Sequence, residues 1–116
     1  MSMLDTTQLA LIAGMRGSLQ RQTVLTNNLA NVDTPGYQRQ DIDFQGTLDA
    51  ALQNGQPLDS LTFQTVTDPQ VVRADGNGVD AEKEQAYIAE NGLLYQQLTQ
   101  VAAARQQILQ SAIASH

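Results

Sequence analysis

An elongated hairpin of two long α-helices, packed in a coiled-coil-like manner around a short irregular and β-prone middle segment, is the fold this sequence predicts. Three observations carry it. Apolar residues recur every seven positions over the last third of the chain. A second helical spacing runs through the first thirty residues. Between them, clusters of Asn, Pro and Gly interrupt any longer pattern.

The first helix is expected from about Thr6 to Asn31. Leu4, Leu11, Met15, Leu25, Leu29 and Val32 fall near one stripe, which Ile12 and Leu19 widen. Asp5 or Thr6 is a suitable N-cap, and Asp5 also suits the positive end of the helix dipole. Gly14 and Gly17 are either plain liabilities, each costing about 1 kcal/mol relative to Ala inside a helix, or marks of close approach by another helix; both readings are open.

That helix is stopped by Asn27-Asn28-Leu29-Ala30-Asn31-Val32-Asp33-Thr34-Pro35-Gly36-Tyr37. Asn is a poor helix former that tolerates left-handed geometry. Pro35 drives Thr34 out of the helical region, and Pro35-Gly36 suits the two central positions of a type II turn. Tyr37, Ile42 and Phe44 then supply apolar groups able to fold back onto the helix.

The middle is mixed. Asp41 to about Gln53 contains a short helical pattern with Phe44, Leu48 and Leu52 at four-residue spacing, broken by Asn54-Gly55-Gln56-Pro57. Thr62–Thr67 and Gln70–Arg73 are β-prone, and a small hairpin or a flexible loop are both open there. From Asp80 to about Ala114 the rows Tyr87, Leu94, Val101, Ile108 and Ile88, Tyr95, Ala102, Leu109 define a second helix of roughly 50 Å. Leu98 and Ala112 fill the next row, Asp80 caps it, and Glu82 and Glu84 complement its dipole.

Composition limits what this chain can do. Its 116 residues are at most one domain, and two Phe, three Tyr and no Trp predict a thin core that gains from partners. A net charge of -6 with Lys83 as the single Lys argues against nucleic acid and anionic membrane surfaces. No apolar run reaches the length of a membrane span, and no signal-peptide pattern is present at the start, which points to no direct membrane insertion. The absence of Cys excludes disulfides and thiolate chemistry.

No catalytic, cofactor or metal constellation emerges, so an enzyme is not expected. Asp75-Gly76-Asn77-Gly78-Val79-Asp80 has Val79 and Ala86 at the fifth and twelfth positions, where a calcium loop needs oxygen ligands, and reads as a turn with an N-cap. His116, the single histidine, is terminal and badly placed for a general base. Asp41 and Asp43 read as solvated carboxylates. Both helices are nearly uncharged on their flanks, Arg16 and Arg21 on the first and Arg105 on the second beyond Glu90. Amides such as Gln96, Gln97, Gln100, Gln106, Gln107 and Gln110 are cheaper to desolvate than charges. Helices surrounded in an assembly and a Gln-rich solvated face are both compatible with that.

The run from Asn28 to Tyr37 resembles the N-terminal signature of the axial proteins of the bacterial flagellum, the rod, hook and hook-associated proteins. The continuation Gln40-Asp41-Ile42-Asp43-Phe44 narrows the resemblance to the proximal rod. A second block, Asp75–Glu84 continuing through Asn91–Thr99 to Ile108–Ile113, is similar to the C-terminal region of the same proteins. This resemblance implies a structural subunit of the basal body's proximal rod, self-associating into a hollow helical drive shaft that transmits torque and encloses the export channel. It implies a division into an N-terminal helix over 1–34, a turn and variable linker over 35–79 and a C-terminal helix over 80–116, in one structural domain. Implied partners are other copies, the rod-base adaptor FliE, the neighbouring rod protein FlgC, and transiently the export apparatus and the rod-assembly protein FlgJ. The implied location is the periplasmic rod, reached through flagellar type III export without a cleaved signal. The subunit interface would then involve Leu11, Met15, Leu25, Leu29, Pro35, Gly36, Tyr37, Leu94, Leu98, Val101 and Ile108. FlgC itself is the alternative within the family, and a cytoplasmic helical module docking one partner helix is the alternative outside it.

Overall fold

The computed structural model describes residues 5–68 and 77–114. Among them the order is α1 (Thr6–Ala30), β1 (Gln40–Ile42), α2 (Phe44–Asn54), β2 (Thr65–Thr67) and α3 (Ala81–Ala114). The molecule measures 66 × 28 × 15 Å. Its long axis is set by α1 and α3, which lie antiparallel, as the sequence predicted.

Four polar contacts mark the register of this pair like rungs. They join Asn28 to Glu84, Asn91 to Ser18, Gln8 to Ala102 and Arg105 to Asp5. As the α1 number falls, the α3 number rises by nearly the same step, which only an antiparallel pair of equal pitch allows. Beyond Arg105, α3 continues for nine residues past Asp5, the first described residue.

Local chemistry places the helix ends. The Asp5 carboxylate accepts from Gln8 N at 2.8 Å and starts α1. Asp80 does the same for α3, accepting from Glu82 N at 3.0 Å and Lys83 N at 3.3 Å. At the other end of α1, Asn31 N donates to Asn27 O and Asn28 O, and its side chain also donates to Asn27 O at 2.8 Å. Tyr37 N then donates to Thr34 O at 3.2 Å, and Gly36 has φ 77. A positive φ at the third residue of Thr34-Pro35-Gly36-Tyr37 is what a type II turn requires.

The α1 face most enclosed by the fold is small and polar rather than the expected stripe of large apolar residues. Gln8, Ala13, Gly14, Gly17, Ser18 and Asn28 are buried there with Leu25, whereas Leu11, Met15 and Leu29 are half-buried. Small side chains let a neighbour come close. A Cβ on Gly14 would lie 3.2 Å from Leu98 Cδ1, so this glycine does mark the approach of α3. Gly17 instead faces the middle segment, where a Cβ would meet the Phe44 ring at 2.5 Å and Phe63 at 3.0 Å. Those rings stack with centroids 5.3 Å apart and planes 8° from parallel. The chain's two Phe thus roof one glycine.

The expected short helix is α2, capped by Asp43, which accepts from Gly46 N at 3.2 Å, and closed by Gly55 at φ 66. Ala51 is its buried residue and Leu52 is exposed, because 44, 48 and 51 share a face more closely than 44, 48 and 52 do. The β-prone stretch ending at Thr67 does form a strand, but its partner is Gln40–Ile42, in antiparallel register Gln40↔Thr67, Asp41↔Val66 and Ile42↔Thr65. The other β-prone stretch, Gln70–Arg73, lies outside the described residues. Gln-Asp-Ile has no alternating pattern to announce a strand. It is recruited by contacts from α1, described next.

Candidate assembly surface and the clasp at the hairpin base

At the base of the hairpin a polar clasp ties α1, β1 and α3 together. Asn28 lies on the inner face of α1, fully buried, and acts as a surrogate strand. Its Nδ2 donates to Gln40 O at 2.7 Å while its Oδ1 accepts from Gln40 N at 3.0 Å and from Tyr37 Oη at 3.3 Å. Nδ2 also reaches Glu84 Oε2 at 3.3 Å. Glu84 has no exposed surface, so its charge needs a partner. Arg39 provides it, with Nε donating to Oε1 at 2.5 Å and Nη2 to Oε2 at 3.5 Å. Glu84 is therefore an internal ligand of Arg39 rather than only a complement to the helix dipole.

Arg39 carries further partners, Asp41 at 3.2 Å and Asp68, and lies 4.9 Å from the Tyr87 ring centre. Arg21 adds a two-pronged contact to Asp41, at 2.7 and 3.0 Å. Asp41 is thus a paired, half-buried carboxylate and not the solvated one expected from sequence. Burial acts to raise its carboxyl, but the hydrogen bonds from Arg21 and Ile42 N with the charges of Arg21 and Arg39 outweigh it, leaving it below the ordinary 3.8. Burial acts to lower the Arg39 guanidinium, but pairing with Glu84 and Asp68 raises it above its ordinary value.

Asn77 completes the base. Fully buried, it donates to Asn31 O at 3.0 Å, Val32 O at 3.1 Å and Thr34 O at 2.5 Å, and accepts from Val79 N at 2.7 Å. The turn after α1 and the entry into α3 are stitched together by one side chain. Further along the hairpin, Asn91 donates to Ser18 O at 2.7 Å and Gln22 Oε1 at 2.8 Å. Ser18 Oγ and Asn91 Oδ1 are buried without a hydrogen-bond partner among the described residues.

The expected interface residues divide into two groups. Leu25 is wholly enclosed by the subunit, Leu98 packs on Gly14, and Met15 Sδ accepts from Thr99 Oγ1 at 3.5 Å. Leu11, Leu29, Tyr37 and Leu94 are half-buried, and Tyr37 is held by Asn28. Pro35 and Gly36 are exposed at the turn. Val101 and Ile108 point outward, 49% and 68% exposed. Leu93, 56% exposed, joins them at helical spacing, so three large apolar side chains share one outer face of α3. No Asp, Glu or Lys follows Glu90, and Arg105 is turned toward Asp5 and Gln8. An apolar row set among uncharged amides suits contact with another protein surface. Sequence periodicity found the row Leu94–Val101–Ile108 but not which of its members face out. Leu93 carried no repeat signal.

No helix among the described residues is long and apolar enough to cross a membrane, and no group of three His, Cys, Asp or Glu could hold a metal ion.

Comparison with known proteins agrees with this architecture. A family model described as "Flagella basal body rod protein" matches residues 9–38, the stretch from α1 through the Pro-Gly-Tyr turn. The chain is 38% identical over 97 residues to the flagellar basal body rod protein FlgB of Escherichia coli, covering 66% of this chain and 70% of that protein. It is 35% identical over 100 residues to FlgB of Yersinia enterocolitica, covering 66% and 71%. It is 30% identical over 92 residues to FlgB of Bacillus subtilis, covering 69% and 71%. The chain thus belongs to the FlgB family of flagellar basal body rod proteins, structural components of the rod.

Proposed function

We propose that the subunit self-associates through α1 and α3 into the hollow proximal rod, which encloses the export channel and transmits torque toward the outer axial parts. The observation that carries this reading is the outward row Leu93, Val101 and Ile108 on an uncharged helix face. Burying such a row against a neighbour removes apolar surface from water at about 25 cal/mol per Å² without stripping charges of their hydration. The clasp at the base of the hairpin and the polar contacts further along it tie α1 to α3, which suits an element that must bear torque as a unit. The working division is the one expected from sequence: 1–34 and 80–116 as the helical layer, 35–79 as the turn and linker. The exposed Pro35-Gly36 corner is placed to touch an adjacent subunit.

In this reading the neighbours are other copies, the adaptor FliE and the rod protein FlgC, with the export apparatus and FlgJ met transiently. The subunit reaches the periplasm by the flagellar type III route without a cleaved signal. Ile108→Asp and Val101→Asp test it. Each places a charge on the outer face while leaving the hairpin's internal contacts in place. Far-UV circular dichroism of the purified chain is expected to be unchanged. Swimming and the rod protein recovered in basal-body preparations are expected to be lost, with export of the subunit still detectable. Normal swimming by both variants would refute the seam. Leu98→Asp is not equivalent, because Leu98 packs on Gly14 and its loss destabilises the hairpin itself.

A further inference from the structure

Asn-Gly occurs three times in this chain, as Asn54-Gly55, Asn77-Gly78 and Asn91-Gly92. In this dipeptide the Gly nitrogen reaches the Asn side chain most readily, since Gly has no Cβ to obstruct ring closure and rotates freely. The tertiary structure treats the three pairs differently. Asn77 is fully buried with its amide donating to three carbonyls, and Gly78 N is held by Tyr37 O at 2.7 Å. Asn91 is buried inside α3 with its amide bound to Ser18 and Gln22. Asn54 is the exposed last residue of α2, and its side chain makes no hydrogen bond among the described residues. Exposed Gly55 follows at φ 66, with nothing within 4 Å of where a Cβ would stand.

We propose that Asn54 is a site of spontaneous cyclisation and deamidation, and that folding protects Asn77 and Asn91 from the same reaction. The Gly55 backbone nitrogen attacks Asn54 Cγ. The new N–Cγ bond replaces Cγ–Nδ2, and ammonia leaves with the proton that Gly55 N gives up. Water then adds to either carbonyl of the cyclic imide and opens it to aspartate or isoaspartate. One water is consumed and one ammonia released, with no oxidant or reductant. To react, Gly55 N must leave Ala51 O, a bond in the last turn of the helix, where fraying is easy. Asn77 and Asn91 can react only when the base or middle of the hairpin opens.

The product would matter locally. It places a carboxylate beside the open groove of about 320 Å³ that Leu9, Leu52, Pro57 and Leu58 help to line. The isoaspartate form also lengthens the backbone where Gly55 N and Gln56 N both bond Ala51 O, and so undoes the cap.

The test is incubation of the full purified chain in mildly alkaline buffer, with and without urea, followed by peptide mass mapping and isoaspartate detection. In urea all three sites are expected to convert. In buffer Asn54 should keep converting, while Asn77 and Asn91, which react only after local opening, should slow by roughly a hundredfold or more relative to urea. Asn54→Gln should abolish the early product. Equal rates at the three sites in buffer, or an intact Asn54 while urea converts it, would overturn the proposal.

Discussion

The clasp makes a sharp energetic prediction because its two charges are unequally provided for. Glu84 is wholly buried and receives hydrogen bonds from Arg39 and Asn28 alone among the contacts described, whereas Arg39 also contacts Asp41 and Asp68. Arg39→Met leaves a buried carboxylate with only the 3.3 Å contact from Asn28. Removing one partner of a buried pair costs about 3–5 kcal/mol. Glu84→Leu leaves Arg39 facing two other carboxylates, so the loss is nearer that of one charge-assisted hydrogen bond, about 1.5–3 kcal/mol. The double variant removes the unpaired charge altogether, and its cost should be smaller than that of Arg39→Met alone. Urea unfolding followed by circular dichroism at neutral pH measures all three. Additive costs in the double variant, or a loss below about 1 kcal/mol for Arg39→Met, the range of an exposed pair, would refute the argument.

Other outcomes follow from single positions. Gly92→Ala, in a helix interior with open space around it, should stabilise α3 by about 0.5–1 kcal/mol in the same assay, whereas Gly17→Ala should destabilise by about 1–3 kcal/mol because its Cβ meets the Phe44 ring. Gly36→Val should impair motility and rod recovery more than Gly36→Asn, since the obstacle at φ 77 is backbone conformation and not space; equal behaviour would count against it. Ser18→Ala removes a buried hydroxyl that has no hydrogen-bond partner among the described residues, so the melting temperature should hold or rise. For Asp41 the folded-state pKa is depressed, so its contribution is present above the unfolded value and lost as pH falls through the folded one. That contribution should therefore be level above the ordinary 3.8 and be lost as pH falls below it, and Asp41→Asn should shrink the acid-side loss of stability. An unchanged acid limb in that variant would assign it to other groups.

Much of the fold was written locally. Both long helices, the Asp5 and Asp80 caps, the Pro35-Gly36 turn and the break at Asn54-Gly55 depend on residues within four positions of one another, and sequence periodicity and turn chemistry report that range directly; the equally local cap at Asp43 went unread, because the short helix was expected to begin two residues earlier. What lay beyond reach were contacts between segments far apart in the chain. Glu84 looked like a dipole complement until Arg39, 45 residues away, was seen to neutralise it. Gln8 gave no sign that it would be buried against Ala102 O, 94 residues on. Gln40–Ile42 became a strand because Asn28 offered it a peptide-like edge, a reason absent from its own composition. The apolar rows likewise gave a period but not a phase. Helix phase was decided by Gly14 and Gly17, whose missing side chains let Leu98 and Phe44 come closest, and that choice left Val101 and Ile108 facing outward.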